Sequence, residues 1–458
     1  MFGSSKSSLR RTLALSALVL LTLVAPVVMA QDAEQEPNTE MTGSLSIMGF
    51  GLGDEIATTR VGEFERLYPN VELNFTEGGL DEQQFLTAVA SGTPPDLVSL
   101  PRAELSTYAV RGALTPLTEC IANEGIDMSQ YRDVAVSEVT VDGEVYGIPE
   151  FFNNIMLIIN TAALEEAGLT VDDVNTADWD SIAALNETLT RMDGDTLSRI
   201  GFDPKLPEFL PLWVAANGGQ MLSDDGRTAM LNSPEVVEAL TFAASLHDVA
   251  GGRAPFSAFR DTWDFFGSGN MIANDQLGVF PMEQWYMNVL ADVSPDAPLA
   301  FKPFTDREGN PISFATGSAW AIPRGAANPE AACAFIKTVT SPEAWIAAAE
   351  ERARLRAESG TLNTGTYTAN RLADEVIFGE IVGPTGSDVF DTGVETILSL
   401  QENAFAIPAN PAGAQFRQAW IDAVNRVLNG EQTVEEALNQ AQQEAQAALD
   451  EAWAQSES

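Results

Sequence analysis

The chain alternates short apolar runs with stretches in which apolar residues recur every three or four positions. The first run, 45–50, begins with Leu45 and ends among glycines. Ile56, Val61, Phe64 and Leu67 then follow near helical spacing, and Pro69-Asn70 stops them. Val71-Glu72-Leu73-Asn74-Phe75 alternates as a half-buried strand does. A helix over 82–90 and, after Pro94-Pro95, a strand over 96–100 complete a β-α-β-α-β order. That order predicts a parallel sheet covered by helices. Ligands of such sheets sit beyond the carboxyl ends of the strands. Here those ends are Gly49-Phe50-Gly51-Leu52-Gly53 and Leu100-Pro101-Arg102.

Further on, the stretch 139–149 reads as a hairpin turning at Asp142-Gly143. A buried strand is expected over 155–159, a helix over 179–192 and a strand over 314–322. Three helices share one start: Ser233-Pro234-Glu235, Asn328-Pro329-Glu330 and Ser341-Pro342-Glu343. Each offers a capping side chain, proline at the first helical position and an acid facing the dipole. The last helix opens with a capping box, Thr433 to Glu436, and its stripe of Val434, Ala437, Leu438, Ala441, Ala445, Ala448, Leu449 and Ala452 needs a surface to dock on. The bases end at Arg426, so the outer face beyond it reads as solvated and acidic. No internal repeat emerges. An α/β array of 458 residues is too long for a single core, and two lobes are the expected solution.

Charge narrows the partners. With 24 basic against 66 acidic residues the net charge is −42. Nucleic acid and anionic lipid both demand basic stripes, so neither is expected as a partner. The N-terminus reads as an export signal over 1–30: Lys6, Arg10 and Arg11, an apolar stretch, then Val28-Met29-Ala30 with small residues at the cleavage positions. A flexible linker is expected over 31–43. The processed protein should be soluble on the outer face of the cell membrane or in the periplasm. Such a compartment permits a disulfide, but sequence leaves open whether Cys120 and Cys333 pair.

The single histidine, His247, rules out a multi-histidine metal site and would have to carry any Ser-His-Asp triad. It is expected at the surface or at a cap. Gly49-x-Gly51-x-Gly53 has the wrong spacing for a dinucleotide loop. Neither cofactor nor metal is expected, and no catalytic group. Several aromatics instead fall in loops or at element ends, Phe151-Phe152, Trp213, Trp263, Trp285-Tyr286 and Trp320, and three stand beside polar groups: Phe152 before Asn153, Trp263 between acids and Trp285 after Glu283-Gln284. Flat apolar faces beside planar hydrogen-bonding groups suit a sugar, whose C–H face stacks while its hydroxyls bond.

Order along the chain adds a resemblance. Glu63-Phe64-Glu65-Arg66-Leu67-Tyr68-Pro69-Asn70-Val71, the turn Gly92-Thr93-Pro94-Pro95-Asp96, the passage 143–160 with Tyr146-Gly147-Ile148-Pro149, then Asn217-Gly218-Gly219 and the stretch 430–438 occur in sequence. Together they resemble the extracellular solute-binding proteins of ABC importers, in the maltose-binding-protein-like, carbohydrate-uptake class. The resemblance implies an α/β, two-lobed periplasmic-binding-protein-like fold of type II, with a ligand cleft between two lobes of mixed sheet and helices. It implies lobe 1 over 44–149 with a return segment 314–355, and lobe 2 over 150–313 with 356–458. It implies a monomer that closes on a mono- or oligosaccharide and docks on a membrane permease. By position, Asn153 stands where relatives place a contacting carboxylate, Glu208 where they place an aromatic, and Arg417 where they place a stacking tryptophan. Trp285 matches the stacking tryptophan before a helix, and Asp54 lies close to where a charged pair is expected. The candidate ligand set is completed by Phe50, Asp96, Arg102, Phe151, Phe152, Trp213, Trp263, Glu283, Tyr286, Gly317, Ser318 and Trp320. Arg102 and Arg417 would also suit a phosphate. Two alternatives stay open: a binder of a glycerophosphodiester, polyamine or peptide on the same fold, and a secreted glycosidase.

Overall fold

The computed structural model describes residues 36–76 and 78–456. The export signal expected over 1–30, and the first part of the expected linker, lie outside these residues. Two five-stranded mixed sheets, each flanked by helices, form two lobes. The first sheet runs Val71–Thr76, Gly43–Met48, Leu97–Pro101, Ser318–Ala321, Ile148–Pro149. Its first three strands are parallel, as the β-α-β-α-β order predicts, and Ser318–Ala321 runs antiparallel to both its neighbours. The second sheet runs Leu299–Lys302, Ile155–Asn160, Leu277–Glu283, Thr196–Phe202, Arg191–Asp193. Ile155–Asn160 is buried along its whole length, because helices cover both faces of its sheet.

Local chemistry sets the boundaries. Asp142 and Gly143 both take positive φ, 51° and 82°, which the two-residue hairpin turn requires. The capping box forms: Glu436 N–H donates to Thr433 Oγ1 at 3.2 Å and Thr433 N–H to Glu436 Oε2 at 3.1 Å. The stripe behind it docks, with Ala437, Leu438, Ala441, Ala445 and Leu449 buried in the second lobe's core and Val434, Ala448 and Ala452 partly buried at its edge. Four expectations need correction. The helix expected over 179–192 ends at Leu189, because Arg191–Asp193 pairs as the edge strand of the second sheet. Ser233 and Ser341 cap their helices, but Asn328 does not; its amide reaches Ser44 O instead. His247 is buried, not exposed, with Nδ1 3.1 Å from Ala244 O and its ring against Phe256. The run expected as one strand over 314–322 is two. Pro311–Phe314 joins a small separate sheet, Ser318–Ala321 enters the first sheet, and the break falls at Thr316-Gly317.

That break is a crossing between lobes. The chain passes from Ile148–Pro149 to Ile155–Asn160, and returns from Pro311–Phe314 to Ser318–Ala321. The two crossing segments pair back to back, Asn153 and Thr316 exchanging N–H···O bonds of 3.0 Å. Later, Ala373 and Ile377 pack with Ile56 and Trp345 beside the first sheet. Phe390, Ile397 and Leu400 then bury against the second.

Cys120 and Cys333 form a disulfide, with Cα atoms 5.6 Å apart, joining the helices Thr118–Glu124 and Pro329–Thr340. The cross-link spans 213 residues and constrains the unfolded chain. Replacing both cysteines by alanine should lower the unfolding free energy by about 2–4 kcal/mol. Urea denaturation of oxidised protein and variant measures it; equal midpoints and slopes would contradict it.

Candidate functional site

The crossing segments are held by a buried cation. Arg102 is fully buried, and its Nε donates to Glu138 Oε2 at 2.8 Å. Its two terminal nitrogens donate to the carbonyls of Phe151 and Thr316, one on each crossing segment. The five guanidinium donors lie in one plane, which lets a single side chain tie three partners. Gly317 fits against this clamp at φ +145°, where a Cβ would lie 2.1 Å from Phe151 O. Two more buried arginines brace the same region. Arg60 pairs with Glu150 at 2.9 Å under Trp345, its guanidinium carbon 3.7 Å from the ring centroid. Arg132 pairs with Asp374 at 2.6 Å and faces Phe152. Gln284 completes the join: its N–H donates to Asn154 O at 2.9 Å and its amide oxygen accepts Asn154 N–H at 2.6 Å.

Two cavities flank this join. The smaller, about 340 Å³, lies between Pro101, Ala103 and Glu104 of the first lobe, Lys205, Glu208 and Glu283 of the second, and Arg417 and Trp420. Phe209, Met282, Phe314, Ile407, Pro408 and Phe416 give it apolar walls. The larger, about 840 Å³, opens where the first strand of the first sheet ends, at Gly49, Phe50, Gly51, Gly53 and Asp54. Its far wall is Phe266, Asn288, Val289 and Asp292 of the second lobe. Glu283 lines the smaller cavity, and Trp285 stands beside it on the wall of neither. The indole N–H donates to Glu283 Oε2 at 2.5 Å, while Glu283 Oε1 accepts Thr316 Oγ1–H at 2.5 Å. Trp285 also lies nearly parallel to Phe266, with centroids 6.1 Å apart and planes 20° apart. Phe266 is 67% exposed.

The candidate residues divide accordingly. Glu208, Glu283, Gly317 and Arg417 line the smaller cavity, and Phe50, Asp54, Phe151 and Ser318 the larger. Asp54 also caps the helix Glu55–Leu67 and pairs with Arg352 at 3.2 Å. Ser318 Oγ–H donates to Glu150 at 2.9 Å. Asn153 sits on the crossing with its amide oxygen 3.3 Å from Gln284 Nε2. Trp263 is half-buried against Phe265, Phe280 and Tyr286. Six expectations are corrected by burial. Trp213 is enclosed by Trp179, Phe202, Phe242 and Phe304, with Nε1–H on Pro204 O at 2.9 Å. Trp320 packs on Phe50 and Phe335 with no exposure. Phe152 is sealed against Arg102 and Arg132. Tyr286 is sealed with its hydroxyl on Phe265 O. Asp96 accepts from Ser46 and Asn328 and so ties strand to helix. Arg102 is fully buried, with each of its three guanidinium nitrogens bonded within the clamp.

Sequence reading missed Lys205, Glu104, Thr316 and Phe266. Burial lifts the Glu104 carboxyl above its ordinary range despite the nearby Arg417. Among the described residues no cluster of His, Cys, Asp and Glu is placed to hold a metal ion, and no helix is long and apolar enough to cross a membrane.

Known proteins share this arrangement. The arabinooligosaccharide-binding protein of Halalkalibacterium halodurans is 25% identical over 34% of this chain and 33% of its own. The lactose-binding protein of Rhizobium radiobacter is 24% identical over 36% of this chain and 39% of its own. The chain thus spans a little over a third of the length of the curated relatives it matches. Among solved structures, CpMnBP1 with mannobiose bound is 20% identical, with a TM-score of 0.71 over 88% of this chain and all of that one. Maltose-bound MalE3 of T. maritima is also 20% identical, with a TM-score of 0.68 over 89% of this chain and all of that one. These likenesses show the two-lobed fold. The family description "bacterial extracellular solute-binding protein" matches residues 59–372, well over half of the chain. The protein belongs to that family of bacterial extracellular solute-binding proteins.

Proposed function

We propose that the protein is the solute-binding component of an ABC importer, which captures a mono- or oligosaccharide in the cleft and delivers it to a membrane permease. The observation that carries this reading is the Trp285–Glu283–Thr316 chain at the crossing. It offers a flat indole face, extended by Phe266, beside a carboxylate held in place by two donors. Ring stacking with adjacent planar hydrogen bonds is the pairing that a saccharide uses. Names among similar proteins, including the maltotriose-binding protein of Pyrococcus abyssi, support a saccharide. Closure pivots where the two segments cross, with lobe 1 as 44–149 with 314–355 and lobe 2 as 150–313 with 356–458. Residues 371–382 of the latter pack on the first lobe's helices. The protein binds and releases without breaking a bond, without cofactor or metal, as an exported monomer cleaved near Ala30.

A thermal-shift panel of saccharides, glycerophosphodiesters, polyamines and short peptides tests the class, since a ligand of the folded state raises the melting temperature. Shifts confined to saccharides are expected. Against the best of them, Trp285→Ala should weaken binding at least tenfold, about 1.4 kcal/mol. Calorimetry showing unchanged affinity would remove Trp285 from the site.

A further inference from the structure

We infer that the smaller cavity takes a carboxylate-bearing saccharide, a uronate, with the ammonium of Lys205 as its counter-ion; this rests on the carbohydrate reading above.

Lys205 is only 7% exposed and lines the cavity. Its ammonium makes no hydrogen bond or ion pair among the described residues. The acids around it are already engaged. Asp203 accepts Lys205's own backbone N–H at 2.7 Å and lies 3.4 Å from Arg260. Glu208 faces Arg260 at 3.7 Å. Glu283 accepts from Thr316 and Trp285. Trp263 and Phe265 stand with centroids 6.0 and 5.8 Å from Nζ, the outer limit for a cation over a ring. A buried charge without a partner is costly, and burial, with Arg260 nearby, pulls the Lys205 pKa below its ordinary value. The backbone here is also strained: Lys205 takes φ +54°, a left-handed conformation uncommon for a residue with a side chain.

The rest of the cavity suits the same ligand. Arg417 lines it and makes no hydrogen bond or ion pair among the described residues, although Glu104 lies near enough to feel its charge. Glu104, Glu138, Glu208 and Glu283 are acids on the same walls, and burial holds the Glu104 carboxyl above its ordinary range. The walls are otherwise largely apolar, so an ammonium–carboxylate contact made there is weakly screened.

Calorimetry on the full chain would compare galacturonate and digalacturonate with galactose and galactobiose, and with acetate and inorganic phosphate as bare anions. The uronates should bind at least tenfold more tightly than their neutral counterparts. Lys205→Met should abolish that preference and Lys205→Arg should keep it. Equal affinity for uronate and neutral sugar overturns the inference and leaves the carbohydrate reading standing. A preference that survives in a folded Lys205→Met also overturns it. Should that variant not fold, the wild-type ratio decides. Silence from every probe overturns the inference, and binding of phosphate or acetate with no saccharide bound overturns both.

Discussion

Replacing Arg102 by leucine is expected to destabilise the protein by about 3–5 kcal/mol, the cost of removing one partner of a buried ion pair. Glu138 would remain buried beside an apolar side chain, and the carbonyls of Phe151 and Thr316 would lose their donor. The sign of the pH dependence follows. Burial already holds the Glu138 carboxyl above its ordinary range, even with Arg102 present. In the variant only burial remains, so the folded state binds that proton more readily still. A group whose folded pKa is raised loses stability as pH climbs through the carboxylate range and recovers it below. The deficit of Arg102→Leu should therefore be largest near neutrality and shrink as the pH falls to where Glu138 is protonated in both states. Urea midpoints of wild type and variant across that range measure it. A deficit that is small, or that grows on acidification, would show that Arg102 does not hold the crossing.

Trp213→Ala should cost a similar amount, about 3–5 kcal/mol. The ring fills the space between Trp179, Phe202 and Phe304, and these rings have little freedom to collapse into the gap. Pro204 O would also lose its donor. The affinity of the folded molecules for ligand should stay within about threefold of wild type, because Trp213 has no exposed surface to offer a ligand. Denaturation and calorimetry together separate the outcomes. Intact stability with lost affinity would return Trp213 to the cleft.

These two residues also mark where sequence reading works and where it stops. The apolar pattern located the first three strands of the first sheet because each is closed by a clear stop, such as Pro69-Asn70 or Pro94-Pro95. It failed at 314–322, where the apolar pattern continues through Gly317 although the chain changes sheets. Only the clamp geometry reveals that break. An arginine at the end of a strand carries no sign of burial, and the apolar run 209–216 around Trp213 does not say whether its ring faces core or cleft. Arg102 is buried because Glu138 and two carbonyls come from distant parts of the chain, and Trp213 because four aromatic rings converge on it. Glu283 and Trp285 could be singled out as candidates because they stand two positions apart at the end of a strand. Lys205 could not, since nothing in its local sequence distinguishes a buried lysine from an exposed one. The disulfide was undecidable for the same reason: Cys120 and Cys333 meet only once the helices are docked.

The place of Ser318–Ala321 sets an order of assembly. This strand lies between Leu97–Pro101 and Ile148–Pro149, and it is the only neighbour Ile148–Pro149 has in its sheet. A ribosome delivers it after every strand of the second sheet. Until then the growing chain carries Leu97–Pro101 with one edge unpaired, a template for pairing with the wrong partner. The first lobe thus begins before the second and is finished after it, and a nascent chain halted short of Ser318 would be the species most in need of a chaperone.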